Sequence, residues 1–232
     1  MNRGTLTPLY PLYLDLLDAY GPQGWWPLLG HDGLHPSKTG SIMGYHPGDY
    51  DFPRNEAERF EICTGAILTQ NTAWLNVEKV LKALASKAAL NSEAFLQLPE
   101  AELAALIRPA GYQNAKARKL KELANCFRNL QGRTPDRKAL LAVWGIGPET
   151  ADSIRLYAYG QLEMVVDAYT RRVFERLGWV SASISYEALK RLCLENLPEE
   201  VGVYQECHAL LVEHAKRAKG CKPDDWRKPI VV

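Results

Sequence analysis

Along most of the chain, apolar residues recur at three- and four-residue intervals with polar residues between them. That is the period of amphipathic helices, and the strict alternation of half-buried strands is scarce. Residues 6 to 20 carry the pattern at Leu9, Leu12, Tyr13, Leu16, Leu17 and Tyr20, and Gly21-Pro22 stops it. Residues 28 to 55 hold several Gly, Pro, His and Asp residues and read as loop. A helix is expected from Asn55, a good N-cap, through the apolar run that begins at Phe60 and ends at the polar triplet Gln70-Asn71-Thr72. The spacing predicts further helices over 74 to 90, after Ser92, after Leu98-Pro99 and over 116 to 130, with a break at Arg108 to Asn114. The last helices fall at 186 to 197 and 201 to 219, and Lys222 to Val232 is a tail. The expected fold is all-α.

The densest signal lies between Leu141 and Arg172. Leu140, Leu141 and Val143 predict a helix that runs into Gly145-Ile146-Gly147-Pro148-Glu149-Thr150-Ala151. Apolar Ala151, Ile154, Tyr157 and Ala158 then start another. Glycines permit a tight turn whose N–H groups stand clear of side chains. Pro148 suits a first helical position, and Glu149 favours the positive end of the helix that follows. The segment reads as helix, hairpin, helix, with amides that either close a plain turn or hold an anion such as a phosphate. Beyond it, Asp167 follows the apolar Met164-Val165-Val166, as either a buried helix cap or a catalytic group.

With 47% hydrophobic residues among 232, the chain can bury a sizeable core. No apolar run approaches the roughly 20 residues that span a membrane, and the N-terminus lacks a convincing signal-peptide pattern. A cytoplasmic location follows as an expectation. The net charge of +1 announces no nucleic-acid partner, but basic residues cluster from Lys116 to Lys138 and from Lys216 to Lys228. Such local faces either contact phosphates or are ordinary solvated helix surfaces. Trp25-Trp26-Pro27 either plugs the edge of a core or forms a stacking wall for a planar ligand. Five widely spaced cysteines give no metal pattern, and His31 and His35 sit among Gly and Pro, where a helical ligand pair is not expected.

Leu-x-x-Val-x-Gly-Ile-Gly-x-x-Thr-Ala, followed by Val-Asp-Ala-Tyr-x-x-Arg-Val, resembles the helix-hairpin-helix DNA glycosylases of the endonuclease III superfamily. Trp25-Trp26-Pro27 is similar to a segment of the bacterial 3-methyladenine DNA glycosylase branch, where such residues line the base pocket. The resemblance implies two helical lobes with a catalytic cleft between them, one spanning 55–160 and the other joining 1–54 to 161–232. It implies that Gly145, Ile146, Gly147 and Thr150 grip a phosphate and that Asp167 acts at the glycosidic bond. An amide from Gln70 or Asn71 would enter the duplex where the target base leaves, unless these residues merely cap their helix. Arg171 or Arg172 either reaches a further phosphate or lies on a solvated helix face, and Arg171 is the one taken as the candidate contact. Trp25, Trp26, Pro27, Phe60, Glu149, Lys216 and Lys222 are expected around the base.

Many relatives bind an iron–sulfur cluster through four C-terminal cysteines, whereas this tail has only Cys207 and Cys221. Neither a cluster nor another cofactor or metal is therefore expected. Bifunctional members carry a lysine where this chain has Glu149, and a glutamate cannot form a Schiff base. The implied activity is that of a monomeric, monofunctional glycosylase that acts on double-stranded DNA containing damaged bases and releases alkylated purines such as 3-methyladenine. A glycosylase for oxidised or mismatched bases and a non-catalytic DNA-binding module stand as alternatives.

Overall fold

A computed structural model describes residues 8–37 and 43–230. Residues 6 and 7 of the first expected helix, 38–42 of the expected loop and 231–232 of the tail lie outside the described residues. Eleven α-helices make up the described chain: α1 Leu9–Tyr20, α2 Glu56–Leu68, α3 Trp74–Ser86, α4 Ser92–Gln97, α5 Glu100–Leu106, α6 Gln113–Leu130, α7 Arg137–Ala142, α8 Pro148–Ser153, α9 Ala168–Arg176, α10 Tyr186–Leu194 and α11 Val201–Arg217. Short 3₁₀ turns follow at Arg108–Ala110 and Pro223–Arg227, and α8 runs on as a π-helical turn over Ile154–Ala158. Among the described residues there is no strand, only an isolated bridge between Leu34 and Met43. Polar caps set several starts. Asn55, Asn91, Asp136, Asp167 and Ser185 each accept a hydrogen bond from the backbone three residues on.

Two helices are buried on all sides and organise the rest. In α2, every residue from Phe60 to Leu68 is buried, and α3, α6, α8 and the π-helical turn pack around it. In α11, every residue from Tyr204 to Ala215 is buried, with α1 and α9 against it. The π-helical turn touches both central helices, and its Tyr157 hydroxyl donates to the Gln205 carbonyl of α11 at 3.1 Å. The helix that leaves the hairpin thus bridges the two central helices.

A buried ion network locks that bridge. Asp152 in α8 has no solvent exposure. Its carboxylate takes both Arg137 nitrogens at 2.6 and 3.2 Å, Lys190 Nζ at 2.9 Å and the Tyr186 hydroxyl at 2.8 Å. Lys190 also pairs with Glu163, which holds Arg155 at 2.8 Å, and Arg137 reaches Glu187 at 2.6 Å. Each buried charge faces an opposite one, the condition under which desolvation is offset.

A second buried cation, Lys116, caps a helix end. Its ammonium donates to the carbonyls of Leu68 and Ala110 and to the Thr72 hydroxyl, at 2.8, 2.9 and 2.6 Å. Burial, with a smaller contribution from the Lys119 charge, lowers its pKa to about 8. The turn after α2 is thereby fixed.

Replacing Asp152 with Asn leaves Arg137 and Lys190 facing one buried charge fewer. The variant should be destabilised by about 3 kcal/mol in urea unfolding. A loss below about 1 kcal/mol, the scale of an exposed pair, would show that the network does not hold the hairpin helix.

Candidate functional site

The hairpin joins α7 to α8. Gly145 adopts φ +86°, and a Cβ there would lie 2.4 Å from the Lys119 side chain, so both conformation and space demand glycine. Gly147 differs from the sequence-based expectation. Its φ of −91° is open to any residue, and it contributes open space instead, because nothing lies within 4 Å of a Cβ built there. Ile146 is not an anion donor either, since its N–H is spent on the Val143 carbonyl at 3.1 Å and its side chain is buried. Among the described residues, the backbone amides of Gly145 and Gly147 have no backbone acceptor.

Gln70 braces this turn from below. Its amide nitrogen donates to the Gly145 carbonyl at 3.2 Å and to the Thr150 hydroxyl at 2.9 Å, and its oxygen accepts from Lys119 at 2.5 Å. Both ends of the amide are engaged within the protein. Asn71 is the residue left exposed, at φ +53° on the rim of the cleft. Beside it, Thr72 donates to the Ala110 carbonyl at 2.5 Å, which brings up the turn carrying Tyr112, 71% exposed at φ +47°.

The cleft itself has a volume of about 510 Å³. Trp25, Trp26, Pro27, Tyr45 and Trp74 supply its aromatic and apolar wall, and Glu149, Asp167, Tyr169, His208 and Lys216 its polar groups. Trp26 meets Trp74 and Tyr157 edge to face at 5.5 and 5.3 Å, and Trp25 meets His208 likewise at 5.4 Å. The indole N–H groups of Trp25, Trp26 and Trp74 are buried without a partner among the described residues. Trp26 presses its N–H edge against α2 at Gly65, where a Cβ would come within 2.9 Å of it.

The tryptophan segment is suspended from buried acids. Glu206 of α11 accepts from the amides of Gln23 and Gly24 at 2.7 and 3.3 Å. Glu61 of α2 accepts from the amide of Leu29 at 2.7 Å. Between these two clamps, His46 bonds the Trp26 carbonyl at 3.0 Å.

Asp167 caps α9. One carboxylate oxygen accepts from the Thr170 N–H at 2.8 Å and its hydroxyl at 3.1 Å, and the other lies 3.7 Å from His208 Nε2. Burial opposes ionisation, but the His208 interactions and the two Thr170 donors outweigh it and hold the carboxyl below its ordinary value. The far nitrogen of His208 meets the Tyr157 hydroxyl at 2.7 Å. Glu149 is pushed the other way, raised by desolvation and then by the negative charge of Asp167, against the pull of His208. Desolvation lowers the pKa of Lys216, with Glu213 and Asp167 working against it.

Three expected members lie elsewhere. Phe60 packs against Phe95 and Phe127 at 5.2 and 5.0 Å, inside the bundle. It sits nine residues before Thr69 at the cleft, roughly 13 Å down the helix axis. Lys222 lies past the end of α11, exposed, with its N–H on the Asp225 carboxylate at 2.9 Å. Arg171 donates from its guanidinium to the Ile184 carbonyl. The five cysteines are unpaired, and among the described residues no group of three or more His, Cys, Asp or Glu side chains is placed to hold a metal ion. Nor is any helix long and apolar enough to cross a membrane.

Residues 64–199 match the family model of the HhH-GPD superfamily base excision DNA repair proteins. The chain belongs to that superfamily. It is 37% identical over 228 residues to a putative DNA repair glycosylase of Methanocaldococcus jannaschii, covering 94% of this chain and 91% of that protein. Endonuclease III of Thermotoga maritima is 31% identical over 181 residues, 75% of this chain and 81% of its own. In structure, the glycosylase is similar to the H. pylori 3-methyladenine DNA glycosylase MagIII bound to 1,N6-ethenoadenine, with a TM-score of 0.67 and 26% identity over 90% of this chain and 95% of that one. An endonuclease III–DNA complex matches with a TM-score of 0.60 at 26% identity, over 66% and 72% of the two chains.

Tyr45, Trp74 and His208 escaped sequence reasoning. Trp74 reads as an ordinary apolar helix position, and Tyr45 lies in a segment without periodicity. His208 sits in the apolar face of α11, where only its spatial pairing with Asp167 distinguishes it.

The Glu61 clamp is pH-sensitive. Burial raises its carboxyl from 4.5 to about 7, with the Leu29 amide lowering it and the Glu58 charge adding to the rise. Its contribution to stability is therefore complete below pH 4.5 and lost as pH rises through about 7. Glu61→Gln should be more stable than the parent by about 2 kcal/mol at pH 8 and equal to it at low pH. Parallel pH profiles in denaturant unfolding would sink this account.

Proposed function

We propose that this glycosylase is monofunctional and releases alkylated purines such as 3-methyladenine from double-stranded DNA, leaving an abasic site. The observation that carries the proposal is the tryptophan-walled cleft into which Glu149, in place of an amine, and the ionised Asp167 both face. Likeness to MagIII, whose structure holds an ethenoadenine, supports the same reading. Ring alkylation leaves a base electron-poor and often cationic, and indole faces attract such a ring. The same alkylation weakens the glycosidic bond, so less help is needed for departure.

The target base must leave the stack, at a cost of a few kcal/mol that aromatic contacts in the pocket help to offset. Asn71 takes the place vacated in the duplex, where its amide meets the orphaned partner base. The free amides of Gly145 and Gly147, at the N-terminus of α8, hold a backbone phosphate. Asp167 is kept anionic by Thr170 and His208, so it stabilises the positive sugar of an oxocarbenium-like transition state and orients water for attack. Desolvation raises the Glu149 carboxyl, which leaves this group the better suited of the two to hold a proton beside the departing base. The proposal divides the chain into lobes at 55–160 and at 1–54 with 161–232. It takes the enzyme to be a cytoplasmic monomer without a cofactor, and the dispersed cysteines support the lack of an iron–sulfur cluster.

The similarity to Thermotoga maritima endonuclease III favours a second reading, a glycosylase for oxidised or mismatched bases. Base release from methylated duplex DNA separates the two. Free 3-methyladenine, with strand breaks only after alkali, is the expected result. Breaks without alkali, trapped by borohydride, would assign Schiff-base chemistry to Lys216, the amine at the cleft. No release from methylated DNA, with release from oxidised lesions, would establish the second reading.

Asp167→Asn should lower single-turnover release by at least about a hundredfold and still bind DNA. Full turnover in this variant would rule out the mechanism.

A further inference from the structure

Most of the basic residues between Lys116 and Lys138 are already committed within the protein. Lys116 is buried among carbonyls, Lys119 holds Gln70, Lys121 donates to the Leu96 carbonyl, Arg128 to Asn125, Arg133 to the Leu130 and Asn129 carbonyls, and Arg137 to Asp152 and Glu187. Arg118 is different. It is exposed and has no hydrogen-bond acceptor or acidic partner among the described residues, and its guanidinium carbon stands 4.1 Å over the Trp144 ring.

Trp144 is unusual in its own right. It directly precedes Gly145 at the hairpin, and 45% of it is exposed although it is a large apolar residue. An exposed indole is poorly explained by packing, and an arginine with no anion is poorly explained by ion pairing. Together they make a cationic platform, because the ring face attracts the guanidinium and its N–H groups have no acceptor among the described residues. The platform adjoins the free hairpin amides in the sequence itself, one and three residues away.

We propose that Arg118, held over the Trp144 ring, is a second phosphate contact. It takes a DNA phosphate next to the one at the hairpin, and the exposed remainder of the indole lies against the intervening sugar. A planar fork of donors suits two phosphate oxygens at once, whereas the amides alone carry no charge. This surface fixes where the strand lies and reads no base. The inference rests on DNA as the partner and is independent of which base is released.

The test uses the full-length enzyme and a short fluorescent duplex carrying a stable abasic-site analogue, with binding measured across a salt series. Arg118→Ala should weaken binding about fivefold to tenfold and reduce the slope of log affinity against log salt by about one. Arg118→Lys should keep the slope and recover only part of the affinity. Trp144→Ala should weaken binding by a smaller factor at nearly unchanged slope, and Trp144→Phe should restore it. Thermal midpoints of all four variants should match the parent. Unchanged affinity and slope in Arg118→Ala would overturn the proposal. Weakening without a change in slope would also overturn it, because no counterion release would have been lost. The duplex contains no target base, so an error in the proposed substrate leaves this result intact.

Discussion

Asp152 has no access to water, and much of the site depends on how its charge is compensated. An uncompensated carboxylate at that depth would cost several kcal/mol. Arg137 arrives from the helix before the hairpin, and Lys190 and Tyr186 from α10. The need to neutralise one buried charge therefore fixes three helices around the hairpin. It also reaches the strand-like segment before Asp167, because Lys190 binds Glu163 four residues upstream of it. Both carboxylates of the cleft, Glu149 and Asp167, hang from this frame on either side of the π-helical turn.

Those two carboxylates show how environment, not residue type, assigns chemical roles. Asp167 gains two donors from its own helix start and a third interaction from His208, and these overcome burial. Glu149 gains no such donors, so desolvation and the Asp167 charge dominate. The tryptophan wall lines the same cleft. Its buried indole N–H groups are a standing cost in the free protein, of order 1 kcal/mol or more each. Trp26 points that edge at Gly65, so part of the cost is set by packing, independent of any ligand.

The helical fold, the hairpin, the cap at Asp167 and the tryptophan segment were all legible in the sequence. The helices, the hairpin and the cap rest on local rules, namely period, capping preference and turn chemistry, whereas for the tryptophan segment those rules left two readings open and the resemblance alone favoured a pocket wall. Where reading failed, the missing information was rotation about a helix axis or the identity of a distant partner. Phe60 was expected at the base, but the cleft meets α2 only at its C-terminal end. Gln70 and Asn71 are neighbours in sequence, and only the approach of Gly145, Thr150 and Lys119 shows that one is a brace and the other free. Arg171 is claimed by a carbonyl thirteen residues on. Gly147 was expected to take a backbone angle closed to other residues, but its φ is ordinary and its contribution is space.

A net charge of +1 then takes on a structural meaning. Long-range attraction to DNA is weak at that charge, and many of the cations between Lys116 and Lys138 are held within the protein itself. What remains is short-range: a few uncharged amides at a helix start and the cations left unpaired. Amides act at hydrogen-bond distance and release no counterions, so they grip only a backbone already in register. Recognition by such a surface depends on the duplex conforming to the hairpin and the cleft. Distortion of the DNA and capture of a base are then parts of one event, and an easily unstacked base lowers the cost of both.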